Sequence, residues 1–342
     1  MRNHRPVNKN RIRPGVPARD GAVDRRSVLL AGAAAVISLG ARAAPRQTDA
    51  IPIIDTHIHL FDPNRPQGAP YFGPANSPTS KTGAFPDIYQ RLAAQLGIVG
   101  ALEVEASPWF EDNLWVLEVC AKNDIMVGVV GNLRPEVPEF AEYLERYHKN
   151  PLFRGIRYGN LWNYNLVEQA RNPAFIAGLK LLAQADLVLD TANPQVDLLE
   201  AIVHVNDEVP DLRIVIDHLP SFEPASDLAA RYAAVLLELR QRSNIYCKLS
   251  EVIHRVDGKV SLALASYRPR LDHLFEIFGA DRVLFGSDWP NSDSVATVES
   301  IVGIMREFFA SKPRLAAQKY FWMNSVRAYK WVKRAANQPT LS

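Results

Sequence analysis

The sequence predicts an α/β fold, a single-domain (β/α)8 barrel, and three observations carry that reading. Eight short apolar runs, nearly continuous and rich in β-branched residues, alternate with longer amphipathic ones between residues 51 and 309. That is the pattern of parallel strands covered on both faces. Imidazoles and carboxylates stand at the ends of those runs, where a barrel gathers its site. The other parallel architecture, a doubly wound open sheet, finds no Gly-rich phosphate loop in this chain to support it.

The first strand is expected at residues 51–57, an Ile-rich start that runs into Asp55, His57 and His59. The segment 62–85 follows, with six prolines or glycines between Pro63 and Pro74 and with Tyr71 and Phe72. Such a composition suits a long first βα loop that walls the mouth of the barrel, or else a surface loop without substrate contact. The later strands are expected at 98–104, 125–130, 153–158, 187–190, 212–217, 245–249 and 283–286. Helical patterns fall at 85–96, 113–123, 138–147, 173–184, 194–205, 228–240, 268–278 and 295–309. Residues 315–336 read as one amphipathic helix or two, with Phe321, Trp322, Val326, Tyr329 and Trp331 as apolar surface. The barrel is therefore placed at 51–336, with a loose tail at 337–342.

Ahead of it, Arg25-Arg26-Ser27-Val28-Leu29-Leu30 leads into a small, apolar run ending near Leu39, and Ala41-Arg42-Ala43 offers a small-x-small cleavage site. Residues 1–43 read as a twin-arginine-type signal peptide, 44–50 as a mature lead-in, and the expected location as the bacterial periplasm. The apolar run is short for a membrane span, so no stable membrane insertion is expected after cleavage. The leader holds nine of the 39 Lys/Arg and two of the 37 Asp/Glu, so the formal charge falls from +2 to −5 without it. No long basic stripe remains, which argues against a nucleic acid partner. Cys120 and Cys247, in a helical and a strand pattern, are expected as buried free thiols. The oligomeric state is open, homo-oligomers included.

His57 and His59 are two apart on a strand, and period-two geometry turns them to one side. In a barrel that side is the interior, and at the C-terminal end it is the site. Asp55 shares the spacing, as a buried acceptor or a partner to an imidazole. His218 ends the sixth strand, as a site residue or a structural histidine, and Asp217 is then expected to face the helix layer. Asp288, between Gly286-Ser287 and Trp289-Pro290, ends the last strand. It can take a proton from attacking water and return it to the leaving oxygen, or complete a metal set with His57, His59 and His218; a turn cap is the neutral alternative. Arg157 needs an anion, either a protein carboxylate or substrate. Glu103 and Glu105 flank Val104 with one or both facing the mouth, and Lys248 and Glu251 are expected at a similar level, each as an extra ligand or substrate contact. Tyr158, Trp109, Trp162 and Trp289 are candidates for an aromatic rim near His254, with ordinary packing as the alternative for each.

Beyond these single positions, whole segments resemble the amidohydrolase superfamily. They include Ile54-Asp55-Thr56-His57-Ile58-His59-Leu60-Phe61-Asp62-Pro63, Phe153-Arg154-Gly155-Ile156-Arg157, Val215-Ile216-Asp217-His218 and Tyr246-Cys247-Lys248-Leu249-Ser250. The most specific is the run from Phe278 to Pro290, ending Leu284-Phe285-Gly286-Ser287-Asp288-Trp289-Pro290. The likeness is to the amidohydrolase 2 branch, TIM-barrel metal-dependent hydrolases related to sugar-lactone and pyrone-dicarboxylate lactonases. It implies a distorted (β/α)8 barrel, His57, His59, His218 and Asp288 at its site, and hydrolysis at a carbonyl carbon. Arg157 and Asp190-Thr191 stand where binuclear relatives carry further ligands, which argues against two metals. One divalent ion, zinc being the expected one, or a site that works without metal is implied. The expected function is opening of a sugar-derived or carboxylated lactone, with Asp288, His218 and Arg157 as catalytic groups. The rivals are a metal-dependent decarboxylase or an amide or ester hydrolase of the same superfamily, and a non-catalytic exported carbohydrate-binding barrel.

Overall fold

The structure, a computed structural model, describes residues 50–341; the leader assigned to 1–43 lies outside them. Strands β1 (Ile53–Ile58), β2 (Ile98–Val104), β3 (Met126–Gly131), β4 (Phe153–Arg157), β5 (Val188–Thr191), β6 (Arg213–Ile216) and β7 (Ile245–Lys248) pair in parallel in chain order. A short antiparallel hairpin, β8 (Arg255–Val256) and β9 (Lys259–Val260), intervenes before β10 (Val283–Leu284), which pairs with β7. The ring closes where Thr56 N donates to Phe285 O at 3.0 Å and Asp288 N to His57 O at 2.8 Å. The eight expected strands are all present. The hairpin was not expected; its Asp257-Gly258 turn has both residues at positive φ, the conformation that suits the twist of paired strands.

The helices cover the outer face, and their starts follow from local chemistry. Pro173–Gln184 begins with proline behind Asn172, whose side chain accepts from Ala174 N, and Val298–Ala310 is capped by Thr297. Inside, Ile54, Leu102, Val127, Val188, Val215 and Leu284 fill the lower barrel, and Trp322, Tyr329 and Trp331 pack against them. Trp322 and Tyr329 come from the closing helix, Arg314–Gln318, a π-helical turn at Lys319–Met323, and Asn324–Tyr329, and Trp331 from the chain just past it. The helix ends at Lys330 in the left-handed region (φ 49°) rather than running to residue 336. The tail is not loose throughout: Gln338 is 1% exposed and its amide donates to the carbonyls of Val99 and Asp124. Cys120 and Cys247 are buried free thiols. Among the described residues, no helix is long and apolar enough to cross a membrane.

Candidate active site

The upper barrel brings together the four residues expected to converge. His57 Nε2 lies 3.2 Å from His59 Nε2, and His59 Nε2 lies 3.1 Å from Asp288 Oδ1. That same oxygen is 3.6 Å from His57 Nε2 and 3.9 Å from His218 Nε2. All four side chains are buried. His218 (φ 58°), Glu251 (φ 50°) and Asp288 (φ 59°) adopt the left-handed region, uncommon for residues with a side chain. Each follows the end of a strand, so a sharp backbone turn at that point aims the side chain across the mouth. His59 Nδ1 is 2.7 Å from Val104 O. A carbonyl only accepts, so Nδ1 carries the proton and Nε2 offers its lone pair to the site.

Beneath the imidazoles lies a charged layer that follows the parity of the strands. Val188, Val215 and Tyr246 pack into the lower barrel, and two residues on, Asp190, Asp217 and Lys248 point the same way. Lys248 Nζ is 2.6 Å from Asp190, 3.0 Å from Asp217 and 3.2 Å from His57 Nδ1. Lys248 is thus enclosed below the site instead of standing level with Glu251, and Asp217 faces the interior instead of the helix layer. Asp55 departs in the other direction. The register of β1 shifts between Asp55 and Ile58, so Asp55 turns outward, accepting from Tyr89 OH and from the backbone N–H of Ser287 and His57. Burial raises its pKa.

Arg157 finds its anion in the protein: Nε donates to Glu105 Oε1 at 2.8 Å and an amino group to Glu105 O at 2.6 Å. Trp162 Nε1 donates to the other oxygen of Glu105 at 2.9 Å. Glu103 faces away from the mouth, because Leu102 and Val104 take the inward positions. Trp162 is the one aromatic of the expected rim that lines the cavity over the site, which has a volume of about 140 Å³ and is also lined by Tyr71, Arg157, Asn193, Glu251 and Asn291. Trp109 borders a small separate cavity behind β2. Tyr158 stacks on Tyr164, and Trp289 packs on Tyr89. His254 lines a wider neighbouring cleft that reaches Asp288 from the other side. Asn291, not singled out from the sequence, matters here: its Nδ2 donates to Asp288 Oδ1, and Tyr71 OH, from the long first βα loop expected to wall the mouth, donates to Asn291. Asn291 follows directly on the Asp288-Trp289-Pro290 motif, which is the signal that could have found it.

Residues 54–331 match the family model described as amidohydrolase. The chain belongs to the amidohydrolase family. It is accordingly an enzyme, a hydrolase built on a TIM barrel. It is 26% identical over 242 residues to an L-fucono-1,5-lactonase from Burkholderia ambifaria, a match covering 70% of this chain and 80% of that one. In structure it is similar to a Burkholderia multivorans amidohydrolase solved with bound zinc (TM-score 0.70, 22% identity, 82% of this chain and 100% of that one). It is also similar to a 2,6-dihydroxybenzoate decarboxylase from Rhizobium (TM-score 0.59, 15% identity, 82% and 99%). At those identities the structural likeness is one of fold.

The donor set of this amidohydrolase fits a divalent ion. The three atoms His57 Nε2, His59 Nε2 and Asp288 Oδ1 are separated by 3.1 to 3.6 Å, close to the edge, about 3.3–3.5 Å, of a tetrahedron with ligands at zinc distances. His218 and Glu251 form a second candidate group around Asp288, and Asp217 a third with His57 and His218. The electrostatics keep His57 and His59 neutral. Burial, with Lys248 beside it, holds His57 well below the usual range; burial and then Arg157 lower His59 to about 4. Burial raises Asp288 to about 7 against the pull of His218, with Glu251 adding to the rise. Of the two carboxylates sharing Lys248, burial raises Asp190 to about 7, while Lys248 and His57 hold Asp217 down despite its burial.

Proposed function

We propose that this chain hydrolyses a neutral, hydroxylated lactone of sugar type. One observation carries the choice of substrate: Arg157, the cation in the cavity wall, is already paired with Glu105, and Glu251 adds a carboxylate to the same wall. A carboxylated lactone would meet no uncompensated positive charge there, whereas Glu251, Asn193, Asn291 and Tyr71 supply acceptors and donors for hydroxyl groups. The match to an L-fucono-1,5-lactonase supports the same substrate class.

In the proposed reaction the lactone carbonyl lies over His59 and His218 with Arg157 beside it. Asp288 takes a proton from a water molecule as the water oxygen bonds to the carbonyl carbon. The neighbouring imidazole, and the N–H groups of Arg157 that Glu105 does not take, donate to the carbonyl oxygen as negative charge develops on it. The ring C–O bond then breaks, and Asp288 returns the proton to the departing oxygen, leaving a hydroxy acid. Asn291, held by Tyr71, orients the Asp288 carboxylate. A divalent ion, zinc in our reading, would be held by His57, His59 and Asp288 with His218 alongside, and would supply Lewis-acid polarisation and an acidified water.

A panel of five- and six-membered sugar lactones, with a pyrone dicarboxylate and a hydroxybenzoate for contrast, tests this by following acid and carbon dioxide release. Acid without carbon dioxide from the neutral lactones, and little turnover of the charged compounds, is the expected result. Carbon dioxide release would establish the decarboxylase reading, and faster turnover of the dicarboxylate would refute the charge argument.

A further inference from the structure

Lys248 Nζ donates to Asp190 Oδ2 at 2.6 Å, lies 3.2 Å from His57 Nδ1 and forms an ion pair with Asp217 Oδ1 at 3.0 Å. An ammonium only donates, so His57 Nδ1 accepts at that contact. His57 then carries its proton on Nε2, 3.2 Å from His59 Nε2. The latter is a lone pair, because His59 Nδ1 is committed to Val104 O. Donors and acceptors therefore run in one unbroken direction, from Lys248 to His57 to His59 to Val104.

That arrangement is closed to a metal ion, which needs the lone pair of His57 Nε2. To free it, the ring proton must sit on Nδ1. The carboxylate oxygen available there is Asp217 Oδ2, at 3.5 Å, and Lys248 must give up its hydrogen bond to the ring. A carboxylate can only accept and an ammonium can only donate, so the two cannot hold the same ring nitrogen together.

We infer that Lys248 and Asp217 are opposed positioning residues that set the metal affinity of the site by competing for Nδ1 of His57. The inference rests on the metal reading above. Lys248 favours the metal-free tautomer and Asp217 the metal-binding one. Groups behind a metal-ligating histidine typically change affinity by roughly 10–100-fold when replaced, and here the two replacements act in opposite directions.

The test compares the wild type, Asp217→Asn, and Lys248→Met combined with Asp190→Asn, the second change removing a carboxylate that would otherwise be left bare. Histidine-selective nitrogen labelling of the metal-free protein, with eight histidines to assign, reads which ring nitrogen is protonated. Competition with a chromophoric chelator gives the zinc affinity. The wild type is expected to show His57 protonated on Nε2. The double variant should show it on Nδ1 and bind zinc about tenfold tighter or more, and Asp217→Asn should bind about tenfold weaker or more. An Nδ1 proton in the metal-free wild type overturns the inference, as do zinc affinities that move together or not at all. If the wild type takes up no zinc but the double variant does, the inference stands. If none of the three binds zinc, the metal reading falls and takes the affinity inference with it, whereas unchanged affinities in proteins that do bind zinc overturn the inference alone.

Discussion

The barrel interior has two storeys that are equally buried and oppositely built. Below, Ile54, Leu102, Val127, Val188, Val215 and Leu284 are apolar; above, His57, Asp190, Asp217 and Lys248 are all ionisable; and every one of these side chains is 0% exposed. Burial of the lower set is favourable by itself, at about 25 cal/mol per Å² of apolar surface. Burial of the upper set is not: ions leave water at a cost that mutual pairing only roughly offsets, and an apolar replacement of matched shape would often be as stable or more so. The upper storey is therefore explained by what it does for His57 and not by what it adds to stability.

The contrast can be broken at either level. Lys248→Met leaves Asp190 and Asp217 without their cation and should cost about 3–5 kcal/mol in urea unfolding. Leu102→Ala, on the lower storey, should cost about 2–5 kcal/mol through lost burial and a cavity. The two differ in kind: adding Asp190→Asn should recover part of the first loss and none of the second. If the charge-matched pair of changes recovers nothing, the upper storey does not behave as a set of compensated charges.

A smaller effect sharpens the same comparison on β2. Glu105 is held by Arg157 and Trp162, whereas both oxygens of Glu103 are buried without a hydrogen-bond partner among the described residues. Glu103 borders a cavity of about 20 Å³ behind the strand, room for about one water molecule. Burial, with Glu105 adding to it, raises the pKa of Glu103 well above the usual 4.5. The folded protein thus keeps a proton that the unfolded chain loses above that value, so this contribution to stability is full below pH 4.5 and is lost as pH rises towards the folded pKa. Glu103→Gln removes the dependence. Its melting temperature relative to wild type should be higher at pH 8 than at pH 4; an offset that is the same at both would show Glu103 to be ionised in the fold.

Much of this was legible from alternation alone. The eight strands followed from apolar runs, and His57, His59, His218 and Asp288 from their places at strand ends. The charged layer was missed, with Asp217 expected towards the helix layer and Lys248 level with Glu251, although Val188-Leu189-Asp190, Val215-Ile216-Asp217 and Tyr246-Cys247-Lys248 carry its signal: the inward apolar residue fixes the direction of the charge two positions on. Asp55 parts from His57, two positions on, because β1 shifts register between Asp55 and Ile58, which no pattern of side chains announces. Asp217 and His218, adjacent in sequence, both face inward because the backbone turns left-handed at His218. The partners of Arg157 and Asp288 come from Glu105 and Asn291, and pairing across loops is set by tertiary approach rather than by local spacing.

In the proposed reaction Asp288 moves the proton for water attack on a neutral lactone. That role is tested most directly by the turnover of Asp288→Asn on the best lactone of the panel, with its melting temperature measured alongside. The expected result is a folded protein whose kcat/KM is lower by roughly 10²–10⁴-fold, the usual share of a general acid–base. A folded variant within threefold of the wild type would contradict it.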